Sequence, residues 1–420
     1  MRQELIALLR SEVVVATGCT EPGAVALCVA KARETLGVMP DSVEVTLSKN
    51  VFKNAMGVGI PGTGMIGLPI TVAMAVVGGD SAKGLQVLTM PEEAVEQAKQ
   101  WLAQNADKVK IGVQNDAEKL YIKCVCSHGR DQATATIAQR HDHFVHVQRN
   151  DEVLLHEDAT KGATATQEEG KELSLRMIYE FATTAPIDEL LFMRETARLN
   201  KAASEEGMRN DYGLRTGRII QQMAGDDVVH RVVARAVAAS DARMGGCTLP
   251  IYSNSGSGNQ GIACTLPVYE YGMAKGCDEE RITRALALSH LVSIYVKRGI
   301  GRLSALCGIV NASIGVSCGI AYLSGATLQQ MGYAVKNLIN TLAGMVCDGA
   351  KPSCALKMAT GAYSAFVAAE MARHDSVVDP TDGLSERDVD NSIANLGRLG
   401  HDGMNETDDM ILDIMTHKRP

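Results

Sequence analysis

The sequence predicts an α+β protein: a mixed α/β N-terminal part with an antiparallel sheet, followed by a large all-helical C-terminal part with buried helices. Three observations carry this. Apolar and polar residues alternate with period two between residues 109 and 156. After residue 171 the apolar spacing becomes helical and almost no strand pattern remains. The chain has 420 residues, 46% of them hydrophobic and 21% charged, an ordinary globular balance at a length that predicts two domains more readily than one.

The elements follow in order. Residues 2–38 read as two helices, the second entered through Thr20-Glu21-Pro22, with an acidic first turn and Pro near the first helical position. VEVTLSK at 43–49 alternates and reads as a strand. A Gly-rich segment from Gly57 to Gly67 precedes an apolar helix at 68–77, and 91–105 is helical. The runs VKIGVQ, LYIKCVCS, QATATIAQ, HFVHVQ and EVLLH, separated by turn residues, make the antiparallel sheet. The polar Thr/Gly/Glu-rich stretch 157–171 reads as a linker. Helical spacing then runs through 187–206, 215–224, 227–240, 279–297, 328–345 and 386–397. The division expected is a helical N-terminal segment, 1–38, packed on an all-helical domain, 171–420, with an α/β domain, 39–165, between them. No charge occurs between Arg302 and Lys336, but Ser304, Asn311, Ser313 and Ser317 interrupt the run and no aromatic belt flanks it. A buried helix is expected there, and no membrane span.

Composition excludes several function classes. With 41 Lys+Arg against 49 Asp+Glu the formal net charge is −8, and aromatic residues are 4% with one Trp. Neither an electrostatic footprint nor stacking platforms for nucleic acid are present. The cysteine count, 11, is odd, and the first residues, MRQELIALLR, lack the apolar core of a signal peptide. A cytoplasmic, reducing compartment is expected, with thiols free or bound to metal. A homo-oligomer is also expected, from the Gly- and Ala-rich helices.

Four constellations could carry chemistry. Gly62-Thr-Gly-Met-Ile-Gly67 matches the dinucleotide fingerprint, but Ile60-Pro61 precedes it where a strand must end, so a backbone close-approach loop is the better reading. SNSGSGNQG at 253–261 is a donor-rich loop ahead of an apolar run, suited to cradle a carboxylate or phosphate. Its Ser-Gly-Asn core is similar to loops of pyridoxal-phosphate lyases, yet no Lys occurs between Lys201 and Lys275 to form their Schiff base. His141, His143 and His146 read as sheet-surface or hydrogen-bonded histidines, the first two on one strand face. Asn50, Lys53 and Asn54 are secondary candidates, as exposed loop polarity or substrate contacts.

Among the cysteines, Cys28, Cys264 and Cys318 sit in apolar runs and read as small buried hydrophobes. Cys347 and Cys354 bracket a C-x6-C loop whose Gly and Pro break a helix, so it can wrap two thiolates around one metal centre, with Cys307 upstream. Spacing alone leaves metal site and plain thiols both open. Cys19, in TGCTEP at a helix N-terminus, holds a position that lowers a thiol pKa.

With these motifs in their order, GCTEP at 18–22, VGIPGTGMIG at 58–67, ASDARMGG at 239–246, SNSGSGNQG at 253–261, RLSALC at 302–307 and MVCDGAKPSC at 345–354, the chain closely resembles the L-cysteine desulfidase family. These are iron–sulfur lyases similar to the L-serine dehydratase alpha chain. The resemblance implies a [4Fe–4S] cluster held by Cys307, Cys347 and Cys354, with one iron open, in the helical domain. It implies β-elimination from L-cysteine to hydrogen sulfide, ammonia and pyruvate. Serine dehydratases carry GCQ where this chain has Leu306-Cys307-Gly308, space the last cysteine pair more widely, and have a Ser/His-rich motif in place of TGCTEP. These departures favour cysteine over serine. They leave Cys19 as either a catalytic acid/base or a contact of the open iron. The substrate carboxylate is expected on Ser255, Gly256, Ser257 and Asn259, with Asn50 near the substrate. Serine or threonine dehydration on the same scaffold and a non-catalytic iron–sulfur sensor are the competing readings.

Overall fold

The computed structural model describes residues 2–114, 117–157, 173–301 and 303–417. The expected linker at 157–171 falls almost wholly on 158–172 and so lies outside the described residues, as does Arg302.

The N-terminal part runs α1 (Arg2–Glu12), β1 (Val15–Thr17), α2 (Thr20–Leu36), β2 (Ser42–Ser48), α3 (Lys49–Ala55), α4 (Leu68–Gly78), α5 (Glu92–Asn105), β3 (Val109–Gln114), β4 (Tyr121–His128), β5 (Asp131–Ala138), β6 (Phe144–Arg149) and β7 (Glu152–His156). Six strands form one sheet in the order β3-β2-β4-β5-β6-β7. The alternation of β2, β4, β5 and β6 puts every second side chain under α2, which packs across β4 and β5. The sheet is mixed rather than antiparallel, because β2 and β3 pair in parallel, Val43 opposite Val109. Three helices lie between those two strands, the crossover that a parallel pair requires.

The helical part runs α6 (Leu175–Thr184), α7 (Met193–Arg209), α8 (Thr216–Met223), α9 (Val228–Met244), β8 (Pro250–Tyr252), α10 (Gly258–Ala274), α11 (Glu279–Ile300), α12 (Gly308–Leu323), α13 (Leu328–Leu342), α14 (Cys354–Arg373), α15 (Val389–Arg398) and α16 (Asn405–Thr416). The uncharged stretch after Arg302 forms α12, buried along nearly its whole length among α10, α11, α13 and α14. Among the described residues no helix is long and apolar enough to cross a membrane.

Two apolar cores result. One gathers α1 and the helical part, the other α2, α4 and the sheet. The first 36 residues are therefore shared between them, with the turn at Gly18-Cys19 passing from one to the other. A strand the sequence reading missed makes this junction: β1 pairs antiparallel with β8, Val15 opposite Tyr252. Each is three residues long, too short to display a period. The C-terminal α16 closes back onto α3, where Asp408 pairs with the buried Lys53 and accepts 2.8 Å from the Asn50 amide.

Candidate active site

Between the two cores lies a cavity of about 90 Å³ that brings together residues from both ends of the chain. Cys19, Cys307, Cys347 and Cys354 all line it. The last three form its thiol cluster. Cys307 immediately precedes α12, Cys354 is the first residue of α14, and Cys347 sits on the strand-like segment between. Two of the three stand at helix N-termini, but burial outweighs any pull toward the thiolate there. Main-chain bonds fix the arms: Cys307 N–H donates to Met345 O at 3.0 Å and Cys347 N–H to Ala305 O at 2.6 Å, around a bridge between Leu306 and Val346. Burial, then the nearness of Cys347, pushes the Cys307 thiol up to about 12, with Cys354 adding to it. Burial raises Cys354 as well, with Cys347 contributing. Two thiols raised by burial, with a third beside them, are a donor set suited to positive charge.

Three thiols on one cavity wall are the donor type that holds iron–sulfur clusters. Among the described residues no three His, Cys, Asp or Glu side chains are grouped to hold one metal ion. Basic groups surround the loop. Lys357 donates to Val346 O at 2.9 Å and pairs with Asp348, Lys351 also holds Asp348, and Lys53 donates to Cys347 O at 3.2 Å. Burial would raise Asp348, but the two lysines outweigh it and lower the carboxyl to about 2.

A charged cluster surrounds Cys19 at the start of α2. Gly18 has φ +70°, and a Cβ there would meet Pro61 Cγ at 2.7 Å, so this turn needs glycine. The Cys19 thiol donates to Glu21 Oε2 at 3.2 Å, and Asn54 Nδ2 donates to Glu21 Oε1 at 2.9 Å. Arg243, at the end of α9, donates from Nε to Gly18 O at 3.0 Å and from Nη1 to Asn259 Oδ1 at 3.2 Å. A Cβ on Gly258 would lie 2.2 Å from Arg243 Nε, so glycine leaves room for the guanidinium. Burial alone would raise Glu21, but His141 and the bonds from Cys19 and Asn54 prevail and hold its carboxyl below the usual range. The Cys19 thiol moves the other way, raised strongly by burial and by Glu21. This corrects the expectation that its helix N-terminus makes it acidic; Arg243 lowers it too little to compensate.

The 253–261 segment behaves differently from the donor-rich loop expected. Asn254 and Ser257 bond each other's backbone at 3.0 and 2.9 Å, with Ser255 and Gly256 at positive φ, a two-residue turn. Ser253 and Ser255 N–H groups are engaged by Val14 O and Glu12 O. Ser255 and Gly256 therefore do not line the cavity, while Ser257 and Asn259 do. Ser257 Oγ caps α10 by accepting from Gln260 N at 3.3 Å. Asn50, held by Asp408, also stays out of the lining. Beneath the turn, buried His290 accepts at Nδ1 from Asn254 at 3.0 Å and contacts Thr265 Oγ1 at 3.0 Å. Burial lowers its pKa to about 3, so the ring is neutral.

Four lining residues carry roles the sequence did not disclose: Glu21, read only as a helix-start acid, Asn54, a secondary candidate, Arg243 and Gln260. His141 is a fifth. It lies in the turn before β6, buried at 5% exposure beside Glu21, and does not share a strand face with His143. The Gly62–Gly67 loop also differs from a cofactor cradle. It folds on itself, Gly59 opposite Ile66, with Gly62 N–H on Gly246 O, so its close approach is to the end of α9.

The serine dehydratase alpha chain family matches residues 82–413. A UPF0597 protein of Bacteroides fragilis is 51% identical over 99% of this chain and 98% of its own length. One from Bacteroides thetaiotaomicron is 50% identical over 99% of this chain and 98% of its own. One from Chromobacterium violaceum is 42% identical over the same shares, 99% and 98%. The family match contains all three clustered thiols and Arg243; Cys19 and Glu21 precede it.

Proposed function

Because the chain belongs to the serine dehydratase alpha chain family, we propose that it is an amino-acid lyase, and specifically an L-cysteine desulfidase independent of pyridoxal phosphate. The observation that carries this reading is one small cavity lined by three clustered thiols and by a fourth, Cys19, set between a buried acid and a buried base. Cys307, Cys347 and Cys354 would hold a [4Fe–4S] cluster. When bound, that cluster supplies a thiophilic Lewis acid for the departing sulfur.

The chain's own residues do the rest. Cys19 is the base for the Cα proton, and must first be a thiolate, its own proton released to water. Arg243 beside it favours that form and Glu21 opposes it, so whatever neutralises Glu21 readies the base. As Cys19 takes the Cα proton, the Cα–H pair forms the C=C bond and the Cβ–S bond breaks with its electrons on sulfur. Aminoacrylate and sulfide result, and water converts aminoacrylate to pyruvate and ammonia. Ser257 and Asn259 belong to the substrate side of the cavity, Asn259 already oriented by Arg243.

The test is anaerobic. Iron-loaded protein with L-cysteine, and no pyridoxal phosphate, should release sulfide and pyruvate in equal amounts. No release from protein that holds iron and sulfide rejects the desulfidase reading. The family name favours one second reading, L-serine dehydration, in which pyruvate forms from L-serine and L-cysteine is inert.

A further inference from the structure

We propose that Glu21 and Arg243 form a clamp for the α-amino acid zwitterion, ammonium on Glu21 and carboxylate on Arg243, with the substrate Cα held against Cys19. This rests on the amino-acid lyase reading of the same cavity and adds which groups recognise the substrate.

The argument starts from burial. Glu21 is 9% exposed and Arg243 5%, and both line the cavity. Buried charges are costly unless their hydrogen-bonding capacity is met. The oxygens holding Arg243, on Gly18 and Asn259, are neutral and engage only Nε and Nη1. A guanidinium has five N–H donors in a fork that suits a carboxylate. The fork rests against Gly258, where a Cβ would stand 2.7 Å from Nη2.

The acceptors tell the complementary half. Among the described residues Asn54 Oδ1 and Gln260 Oε1 are buried without a hydrogen-bond partner, and both residues line the cavity. Their orientation is fixed by their other ends. Asn54 Nδ2 donates to a carboxylate, which can only accept. Gln260 Nε2 donates to Asn254 Oδ1 at 2.7 Å and Ser293 Oγ at 3.2 Å. Two orphaned acceptors and a carboxylate in one cavity call for a ligand rich in N–H donors, and an ammonium brings three.

The two poles also flank the base. Arg243 is bonded to the carbonyl just before Cys19, and Glu21 accepts from the Cys19 thiol itself. In an α-amino acid the acidic C–H sits on the carbon between the two charged groups. A molecule gripped at both poles presents that hydrogen to Cys19.

The experiment uses anaerobic titration calorimetry of the iron-loaded protein with L-cysteine, cysteamine, which lacks the carboxylate, and 3-mercaptopropionate, which lacks the amine. All three share the thiol, so any iron–sulfur contact cancels. Wild type should prefer L-cysteine to either half-ligand by about 100-fold, the scale for losing one buried charge-assisted contact. Arg243→Gln should weaken L-cysteine and 3-mercaptopropionate together and leave cysteamine unchanged. Glu21→Gln should weaken L-cysteine and cysteamine and leave 3-mercaptopropionate unchanged. The unaffected half-ligand reports that each variant is folded. Should either variant fail to fold, the wild-type series decides alone: a half-ligand bound as tightly as L-cysteine overturns the clamp. So does a variant that weakens both half-ligands alike while its iron content and helix content match wild type. Sulfide release is followed in parallel. A clamp pattern without sulfide release, seen with L-serine as well, rejects the desulfidase reading and leaves the clamp standing.

Discussion

Cys307, Cys347 and Cys354 are held by their main chain, while Glu21, Asn54 and Arg243 are held by their side chains. In the thiol cluster the backbone is paired, Cys307 to Met345 and Cys347 to Ala305, and the Cys354 thiol makes a long 3.6 Å bond to Gly349 O, itself main chain. In the charged cluster the functional atoms themselves are engaged, Glu21 by Cys19 and Asn54, Arg243 by Gly18 and Asn259. The difference teaches what each half needs. A soft ligand must leave its lone pairs to a metal, so its loop is set by backbone. A hard charge must keep its ionised form in a buried place, so hydrogen bonds aim it in advance.

The sharpest way to break this comparison is the same substitution in both halves. Cys347→Ser should lose most of the bound iron and essentially all turnover, read by iron analysis and visible absorption. Cys19→Ser should keep the iron and lose turnover on the order of 10²–10⁴-fold, the range for removing a general base. Equal iron contents in the two variants would erase the distinction between the clusters.

A smaller effect sharpens the charged side. Gly258→Ala puts a methyl where the Arg243 guanidinium lies. The helix content seen by circular dichroism should hold, while kcat/KM falls on the order of 10²-fold as Arg243 is displaced from Gly18 and Asn259. Unchanged kinetics would mean that Arg243 is not the carboxylate's partner.

The smallest effect concerns the base of the 253–257 turn. His290 has a folded pKa of about 3, below the roughly 6.5 of free imidazole. As pH falls, the unfolded chain takes up the proton first. The contribution of His290 to stability is therefore complete above about 6.5 and is lost progressively toward its folded pKa, by at most about 1.4 kcal/mol per pH unit. Urea unfolding at several pH values should show His290→Gln with a shallower acid slope than wild type. Parallel slopes would mean that His290 is protonated in the native state.

How much of this was legible depends on the range over which a pattern acts. The alternation of β2 and β4 to β6 and the apolar run of α12 are local, because a pleat or a helix face repeats within the element itself. The parallel pairing of β2 with β3 is not, since nothing in either strand records its neighbour. The SNSGSGNQG composition suggested free donors, yet a tight turn and two long-range bonds to Glu12 and Val14 engage them. His141 was hidden because the alternation around it belongs to β6, which begins only at Phe144.

By itself the sequence determined the α+β class and the buried central helix, and its resemblance singled out Cys307, Cys347 and Cys354 as one expected centre. Only the tertiary structure decided that Gly18 and Arg243, 225 positions apart, share a hydrogen bond, and that Glu21, Asn54 and Gln260 face the same cavity as the thiols. The physical reason is that periodicity and turn chemistry fix how each segment presents its own face. Which faces meet is settled by closing the two apolar cores together, and the cavity exists only where those cores adjoin.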